Sequence, residues 1–487
     1  MIALRAAEIA AAVSGALHGA DEDLIVDGPV VTDSRDVRAG SLFVAIRGEQ
    51  VDGHDYAARA VAAGAVLVLA ERELADDAGA PVPTVVVADP TTALGDLARE
   101  VLRRLRARES GLPRVVAVTG SVGKTTTKDL LATMLEHDGP TVAPVRSFNN
   151  EVGLPVTVLR CDEETVTLVL EMGASGPGHI AYLTDIAPPD VAAVLVVGSA
   201  HLGGFGGVEG IARAKAEIVQ GLATGGVAVL NADDPRVAAM APLAARVVTF
   251  GREGDADVVA RDLTTDDGAH AHFTLVDARH GEMDDRAASL ESLASPGSAD
   301  VTLTLVGEHH ATNALAAAAV ALECGASVTD VAARLSQAGA ISPHRMAVTE
   351  VADGVTIIDD SYNANPESMR AALKALVSLA GQRRTIAVLG EMRELGEDSL
   401  TQHDALGRLA VRLDVSRLVV VGRGARAMYT GALLEGSFGE EAAFVADIDE
   451  AQQWLADNVL PGDVVLLKSS NGSGLHLLAD RLLGEGR

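Results

Sequence analysis

The sequence predicts a three-domain α/β protein: a small N-terminal α/β domain (1–112), a central parallel-sheet domain built on a phosphate loop (113–343), and a doubly wound C-terminal domain (344–487). Three observations predict it. At 487 residues the chain is longer than one hydrophobic core organises. Short β-branched runs alternate with helical stretches from end to end, the pattern of parallel sheets covered by helices. One such run, Val115 to Val118, empties into Thr119-Gly120-Ser121-Val122-Gly123-Lys124-Thr125-Thr126, the sequence of a phosphate loop.

In the first domain, Leu42–Ile46, Val66–Leu69 and Thr84–Ala88 read as strands and Tyr56–Ala63 as a helix. Thr32-Asp33-Ser34-Arg35 and Asp52-Gly53-His54 lie between them and taken singly read as turns. A charged helix, Leu94–Arg108, then runs to Gly111-Leu112-Pro113, which reads as a linker.

The central domain opens on the loop itself. Gly120 and Gly123 let the backbone bend so that the N–H groups around Ser121 and Val122 and the start of a helix over Thr125–Leu135 point at one anion. Lys124 adds a compact positive charge, and the Thr125 hydroxyl suits Mg²⁺. The loop is shorter than the general motif, with only Ser121 and Val122 between its glycines, so a plain Gly-rich turn is the competing reading. Strands are expected over Val166–Glu171, Val191–Val197, Val227–Asn231 and Val247–Phe250, with ligands at their carboxyl ends. Glu171, His201, and Asn231 with Asp233 and Asp234 stop or follow those strands, and a carboxylate and an imidazole there could hold Mg²⁺. Lys215 falls on a helix near Gly210–Ile218, where the plain reading is a solvated lysine.

Residues from about 253 to 300 are acidic and rich in Ala, Ser and Gly and read as containing a mobile surface insertion without chemistry. Val301–Leu305 then reads as a strand, and Gly307 to Asn313 opens an Ala-rich helix. His309-His310 suggests zinc but has no partner at metal spacing, which favours a non-metal role. In the Rossmann-like third domain, strands over Thr356–Asp360, Thr385–Glu391, Leu418–Val421 and Val464–Lys468 end in polar clusters. Asp360-Ser361-Tyr362-Asn363-Ala364-Asn365-Pro366 and Gly390-Glu391-Met392-Arg393 are the densest, a ligand face able to close on the nucleotide.

Composition narrows the function. A formal charge of −29 argues against nucleic-acid and anionic-membrane binding. No apolar run approaches a membrane span, and no secretory leader opens the chain, so a cytoplasmic protein is expected. Cys161 and Cys324 give no disulfide framework. Only five of the 39 basic residues are lysine (Lys124, Lys128, Lys215, Lys374, Lys468), which marks them as positions where an amine, rather than a guanidinium, could be required.

The ordered set of motifs resembles the Mur ligase family of peptidoglycan synthesis over nearly the whole chain. The set comprises Asp33-Ser34-Arg35 with Asp52-Gly53-His54, the short loop to Thr126, Phe148-Asn149-Asn150-Glu151, Glu171-Met172-Gly173, Ala200-His201, Ala214-Lys215-Ala216-Glu217, Gly307 to Asn313, His344-Arg345, and Asp360 to Pro366. The Ser-Tyr-Asn-Ala-Asn-Pro segment favours the branch that adds D-alanyl-D-alanine. The resemblance implies an ATP-dependent ligase joining that dipeptide to UDP-N-acetylmuramoyl-tripeptide through an acyl phosphate. Such a reaction completes a cell-wall precursor on which cell shape and division depend.

Carried over residue by residue, the resemblance implies ATP on Gly120 to Thr126, positioned by Asn313, Arg345 and Asp360. It implies Mg²⁺, with two sites, on Thr125, Glu171, His201 and Lys215, the last carbamylated by CO₂. Lys124, Lys215, His201 and Arg345 are then the catalytic set. Ser34 and Arg35 would meet UDP, Asn149 and Asn150 the muropeptide, and Asn363, Asn365, Lys468 and Ser469 the incoming dipeptide. A monomer is expected. The sequence departs from the family pattern at Val122, at Gly198-Ser199 before Ala200-His201, at His310 in place of a common Asn, and at Lys468-Ser469-Ser470-Asn471, where Lys-Gly-Ser-Arg is usual. Two other readings are a sister ligase, folylpolyglutamate-synthetase-like or adding one amino acid, and a nucleotide-binding scaffold without turnover.

Overall fold

A computed structural model describes residues 1–48, 51–145, 147–198, 205–280, 297–339, 341–436 and 441–484. Among them three large sheets follow one another along the chain. The first is five-stranded, in the order Ala16–His18, Thr84–Val86, Ala65–Ala70, Ser41–Val44, Val30–Val31. Its strands pair in parallel except for the antiparallel edge pair Ala16–His18 with Thr84–Val86. The short edge strands carry too few residues to show a period in the sequence.

The central sheet has nine strands. Arg114–Thr119, which feeds the phosphate loop, lies inside it between Val191–Val194 and Thr167–Glu171, parallel to both. Its side chains alternate between two cores: Val115 and Ala117 join one cluster, Val116 and Val118 the other. Burial on both faces is why the strand reads as an unbroken apolar run instead of an alternating one. Beyond Val247–Gly251 most of the described part of the stretch read as holding an insertion is sheet. Val258–Thr265, His270–Asp277 and Ser298–Val306 continue the sheet to its edge, the last two by antiparallel pairing. Polar residues face out on these strands, which masks them in composition; residues 281–296, with the acidic run Glu282 to Asp285, lie outside the described residues.

The third sheet has six strands, in the order Ala347–Glu350, Thr356–Asp359, Val464–Lys468, Thr385–Leu389, Arg417–Val421, Ala442–Val445. Only the edge pair Ala347–Glu350 with Thr356–Asp359 is antiparallel. Ile357 and Ile358 again enter different clusters, one on each face. The carboxyl ends of Thr356–Asp359 and Val464–Lys468 lie side by side, Asp359 pairing with Leu467, so Asp360 and Lys468 emerge together.

The helix expected over Leu94–Arg108 spans Pro90–Arg106, since Asp89 caps it by accepting from Thr91 and Thr92 N–H, with Pro90 in its first turn. The helix after the loop, Lys124–Glu136, is tied to the third domain's approach. Ser342 donates through its N–H and hydroxyl to Asp129 at 3.1 Å, and Asp129 also pairs with Lys128. Lys128 is therefore spent on holding chain segments together. No described helix is long and apolar enough to cross a membrane.

Candidate active site

The loop is held by backbone and hydroxyl contacts to the neighbouring strand's exit. Ser121 N–H donates to the Val196 carbonyl at 2.8 Å, and Gly198 N–H donates to Ser121 Oγ at 2.9 Å. Gly123 takes φ +84°, and a Cβ there would come within 2.2 Å of Asn313 Oδ1, so glycine is required by both conformation and space. Lys124 curls back to donate to the Gly120 carbonyl at 2.8 Å. Burial pulls its ammonium pKa down; the Glu171 carboxylate opposes that and the Arg345 guanidinium adds to it.

Below the loop, five polar side chains converge. Thr125 Oγ1 donates to Glu171 Oε2 at 2.9 Å and lies 2.7 Å from Ser147 Oγ. The other Glu171 oxygen accepts from Asn149 Nδ2 at 2.7 Å. Arg345 Nη2, from the third domain's entry, donates to Thr125 Oγ1 at 3.1 Å and Ser147 Oγ at 3.0 Å. Its guanidinium also stacks 4.4 Å from the centre of the Tyr362 ring. His344 and Met346 on either side have positive φ, a tight turn that aims Arg345 inward.

The third domain supplies the roof. Asn365 caps the helix Pro366–Ala380, its Oδ1 accepting from Ser368 N–H at 2.8 Å, while its Nδ2 donates to the loop carbonyl of Ser121 at 3.3 Å. Lys468 pairs with Asp360 and donates to the Asn363 carbonyl at 2.9 Å; burial lowers its pKa and Asp360 opposes that. A cavity of about 450 Å³ lies between roof and loop, lined by Ser121 to Thr126, Glu171, Asn313, Arg345, Asp360 and Lys468 among others. His309 and His310 stack at 4.1 Å along the same cavity. Burial pulls His309 down to about 4 and His310 well below its usual value.

The residues expected to hold ATP therefore gather in one place, with the exception that Gly120 lies just behind the cavity lining. Lys215 is 5 % exposed, not the solvated lysine of the plain reading. Burial and the nearby Lys124 charge hold its amine far below the usual lysine pKa, and among the described residues it has no hydrogen-bond partner. His201 lies outside the described residues. Several other candidates are committed elsewhere. Asn231 donates to the Leu195 carbonyl, Asp234 caps a helix at Pro235 and accepts from Val197 N–H, and Asp233 accepts from Arg252 and Glu253 N–H. Asn150 Oδ1 accepts from Val152 and Gly153 N–H where the helix Gly153–Val158 begins, and Ser469 is fully buried behind the roof. Ser34 and Arg35 sit in the first domain, Arg35 paired with Asp33. Ser147 is a site residue that sequence reasoning missed; nothing in its local pattern marks it, because it acts through a contact with Arg345 made across domains. Tyr362 lies in a segment the sequence singles out, but its place against the Arg345 guanidinium within the third domain is not foreseen there.

Thr125 and Glu171 offer hard oxygen donors that point at one spot, and a guanidinium already lies on Thr125 as a cation there. That set fits Mg²⁺, which takes few protein ligands and completes its shell with phosphate and water. Among the described residues no group of three His, Cys, Asp or Glu side chains forms a metal cluster.

Comparison with known proteins gives the same answer from outside. Three family models match in order: "Mur ligase family, catalytic domain" over 29–101, "Mur ligase middle domain" over 118–321, and "Mur ligase, glutamate ligase domain" over 344–471. The chain is 48% identical over 528 residues to the UDP-N-acetylmuramoyl-tripeptide–D-alanyl-D-alanine ligase of Mycobacterium tuberculosis, covering 100% of this chain and 98% of that one. It is 35% identical to the Escherichia coli enzyme of the same name, over 91% of this chain and 92% of the relative. Among solved structures it resembles MurF from Acinetobacter baumannii, with TM-score 0.83, 32% identity and 99% of each chain covered. It also resembles MurF ligase from Thermotoga maritima in complex with ADP, with TM-score 0.75, 31% identity, and 94% and 97% covered. Matched along all or most of its length by relatives that are 35% and 48% identical, the chain belongs to the Mur ligase family.

Proposed function

We propose that this chain is the ATP-dependent ligase that joins D-alanyl-D-alanine to UDP-N-acetylmuramoyl-tripeptide, releasing ADP and phosphate. The observation that carries the reading is the convergence of Lys124, Thr125 and Glu171 from the central domain with Arg345, Asp360 and Lys468 from the third on one cavity. The full-length relatives named for that reaction support the choice of substrates.

In this reading the ATP triphosphate lies along the loop N–H groups, with Lys124 on its outer phosphates and Asn313, Arg345 and Asp360 fixing the rest. The terminal carboxylate of the tripeptide attacks the γ-phosphorus; the new O–P bond forms as the bond to ADP breaks. The dipeptide amine then attacks the acyl carbon, loses a proton, and expels phosphate, leaving an amide. Lys124 and Arg345 offset charge that grows on the phosphoryl oxygens. Thr125 and Glu171 would hold Mg²⁺, which neutralises phosphate charge when bound. His201 would join Glu171 as a metal ligand, as the family resemblance implies, and Lys215, carbamylated, would orient a second Mg²⁺, a role that the burial of its amine near the Lys124 charge supports.

Residues 1–112 bind the UDP moiety through Ser34 and Arg35, 113–343 perform the ATP chemistry, and 344–487 deliver the dipeptide past Asn363, Asn365 and Lys468. Asn149 faces the muropeptide. The protein acts as a cytoplasmic monomer that binds no nucleic acid. The test is direct: purified protein with ATP, Mg²⁺, UDP-N-acetylmuramoyl-tripeptide and D-Ala-D-Ala should yield the pentapeptide by mass spectrometry. Phosphate release that does not depend on both substrates overturns the reading.

A further inference from the structure

A second cavity, of about 230 Å³, opens in the third domain and shares two wall residues, Asn363 and Asn365, with the nucleotide cavity. Asn365 is also the residue that touches the phosphate loop through the Ser121 carbonyl. A small ligand in this cavity therefore lies one side chain away from where an activated carbonyl would form. Two charged side chains line it, Arg393 and Glu394, with Ser470 and Asn471 opposite.

Arg393 is built into the wall. Its N–H donates to Ser470 Oγ at 3.0 Å and its Nη2 donates to the Gly472 carbonyl at 2.7 Å. Ser470 N–H in turn donates to the Glu391 carbonyl at 3.0 Å, so the two loops that follow adjacent strands brace each other. A Cβ on Gly472 would come within 2.1 Å of Arg393 Nη1, so the glycine leaves the room the guanidinium uses. Glu391 stands 3.7 Å from Arg393 Nε, at its rear. Among the described residues the fork makes one hydrogen bond, and a guanidinium has five N–H donors. Asn471, the next wall residue, is neutral, so among the described residues no other cation lines the cavity.

We infer that Arg393 is a specificity residue that binds the C-terminal carboxylate of the incoming dipeptide, with the free amine of that dipeptide directed through the Asn363–Asn365 wall toward the phosphate loop. The inference rests on the function proposed above. It places the charge that recognises the carboxylate on the loop after Thr385–Leu389, while Asn471 contributes none. A planar fork matched to a carboxylate discriminates against ligands that lack the charge.

The experiment compares kcat/KM for D-Ala-D-Ala and for its C-terminal amide in wild type, Arg393→Ala and Arg393→Gln. Wild type should prefer the acid by about 10- to 100-fold, the range of a charge-assisted hydrogen-bonded pair. In both variants the preference should collapse to near unity, with KM for ATP unchanged. Arg393→Gln retains a donor for the Gly472 carbonyl, which separates loss of charge from loss of the loop brace. A wild type indifferent to amidation, or a variant that keeps the wild-type preference, overturns the inference. A wild type that makes no product from either peptide instead sinks the parent reading.

Discussion

Arg345 and Thr125 lie 220 residues apart in the chain, yet the guanidinium donates to the threonine hydroxyl at 3.1 Å. The same guanidinium reaches Ser147 and rests on Tyr362, so one side chain ties the third domain to the phosphate loop. The third domain thus reaches the very atom expected to meet Mg²⁺.

Arg345→Ala should lower kcat by roughly 10²-fold or more, the cost of removing one preorganised donor from a developing anion. Arg345→Lys should recover little, because an ammonium cannot span Thr125 and Ser147 while stacking on a ring. Steady-state kinetics with a melting curve on each variant checks both; wild-type kcat in either removes Arg345 from the chemistry.

Glu171 is buried and holds Thr125 with one oxygen and Asn149 with the other. Glu171→Gln keeps the shape but removes the charge, and should raise the Mg²⁺ concentration for half-maximal activity by about 10- to 100-fold. A magnesium titration of ATP turnover measures it.

Gly123→Ala would need φ +84° on a residue with a Cβ, and that Cβ would meet Asn313 Oδ1 at 2.2 Å. Strain of roughly 1–2 kcal/mol and displacement of Asn313 should together abolish ATP binding in calorimetry while the protein stays folded.

The Lys215 amine is buried near the Lys124 charge, and among the described residues no anion offsets this, a setting that favours a neutral amine over an ammonium. Incubation with ¹³C-bicarbonate should give a carbamate carbon signal that Lys215→Ala lacks. That variant should be inactive at every bicarbonate concentration. A wild type without the signal takes the carbamate out of the account.

His309 and His310 have depressed pKa values, His309 about 4, because burial disfavours the imidazolium; Asp360 and Glu308 oppose this at His309 and Lys468 reinforces it. Above about pH 6.5 both rings are neutral folded or unfolded, and nothing is lost. As pH falls from there toward 4, the unfolded chain takes up protons the folded one refuses, so stability declines with acid. Denaturant titrations across that window should show the slope, and His309→Gln should flatten it.

Much of this protein was legible in one dimension. A strand buried on both faces must be apolar throughout, so Val115–Val118 announces itself, and a glycine with positive φ before Lys-Thr leaves little choice but a phosphate loop. Where the pattern is local, sequence suffices. It failed where outward polar residues disguised strands toward one side of the sheet, as over 258–277, and where a residue's role is set by what faces it. Ser147 is an ordinary loop serine until Arg345 and Thr125 arrive, and Lys215 an ordinary helical lysine until packing removes its water. Asp233 and Asp234 pass for metal ligands until the fold turns their oxygens onto backbone N–H groups. Those decisions belong to tertiary structure because desolvation and partner choice depend on chain segments brought together from hundreds of residues away, which no local pattern encodes.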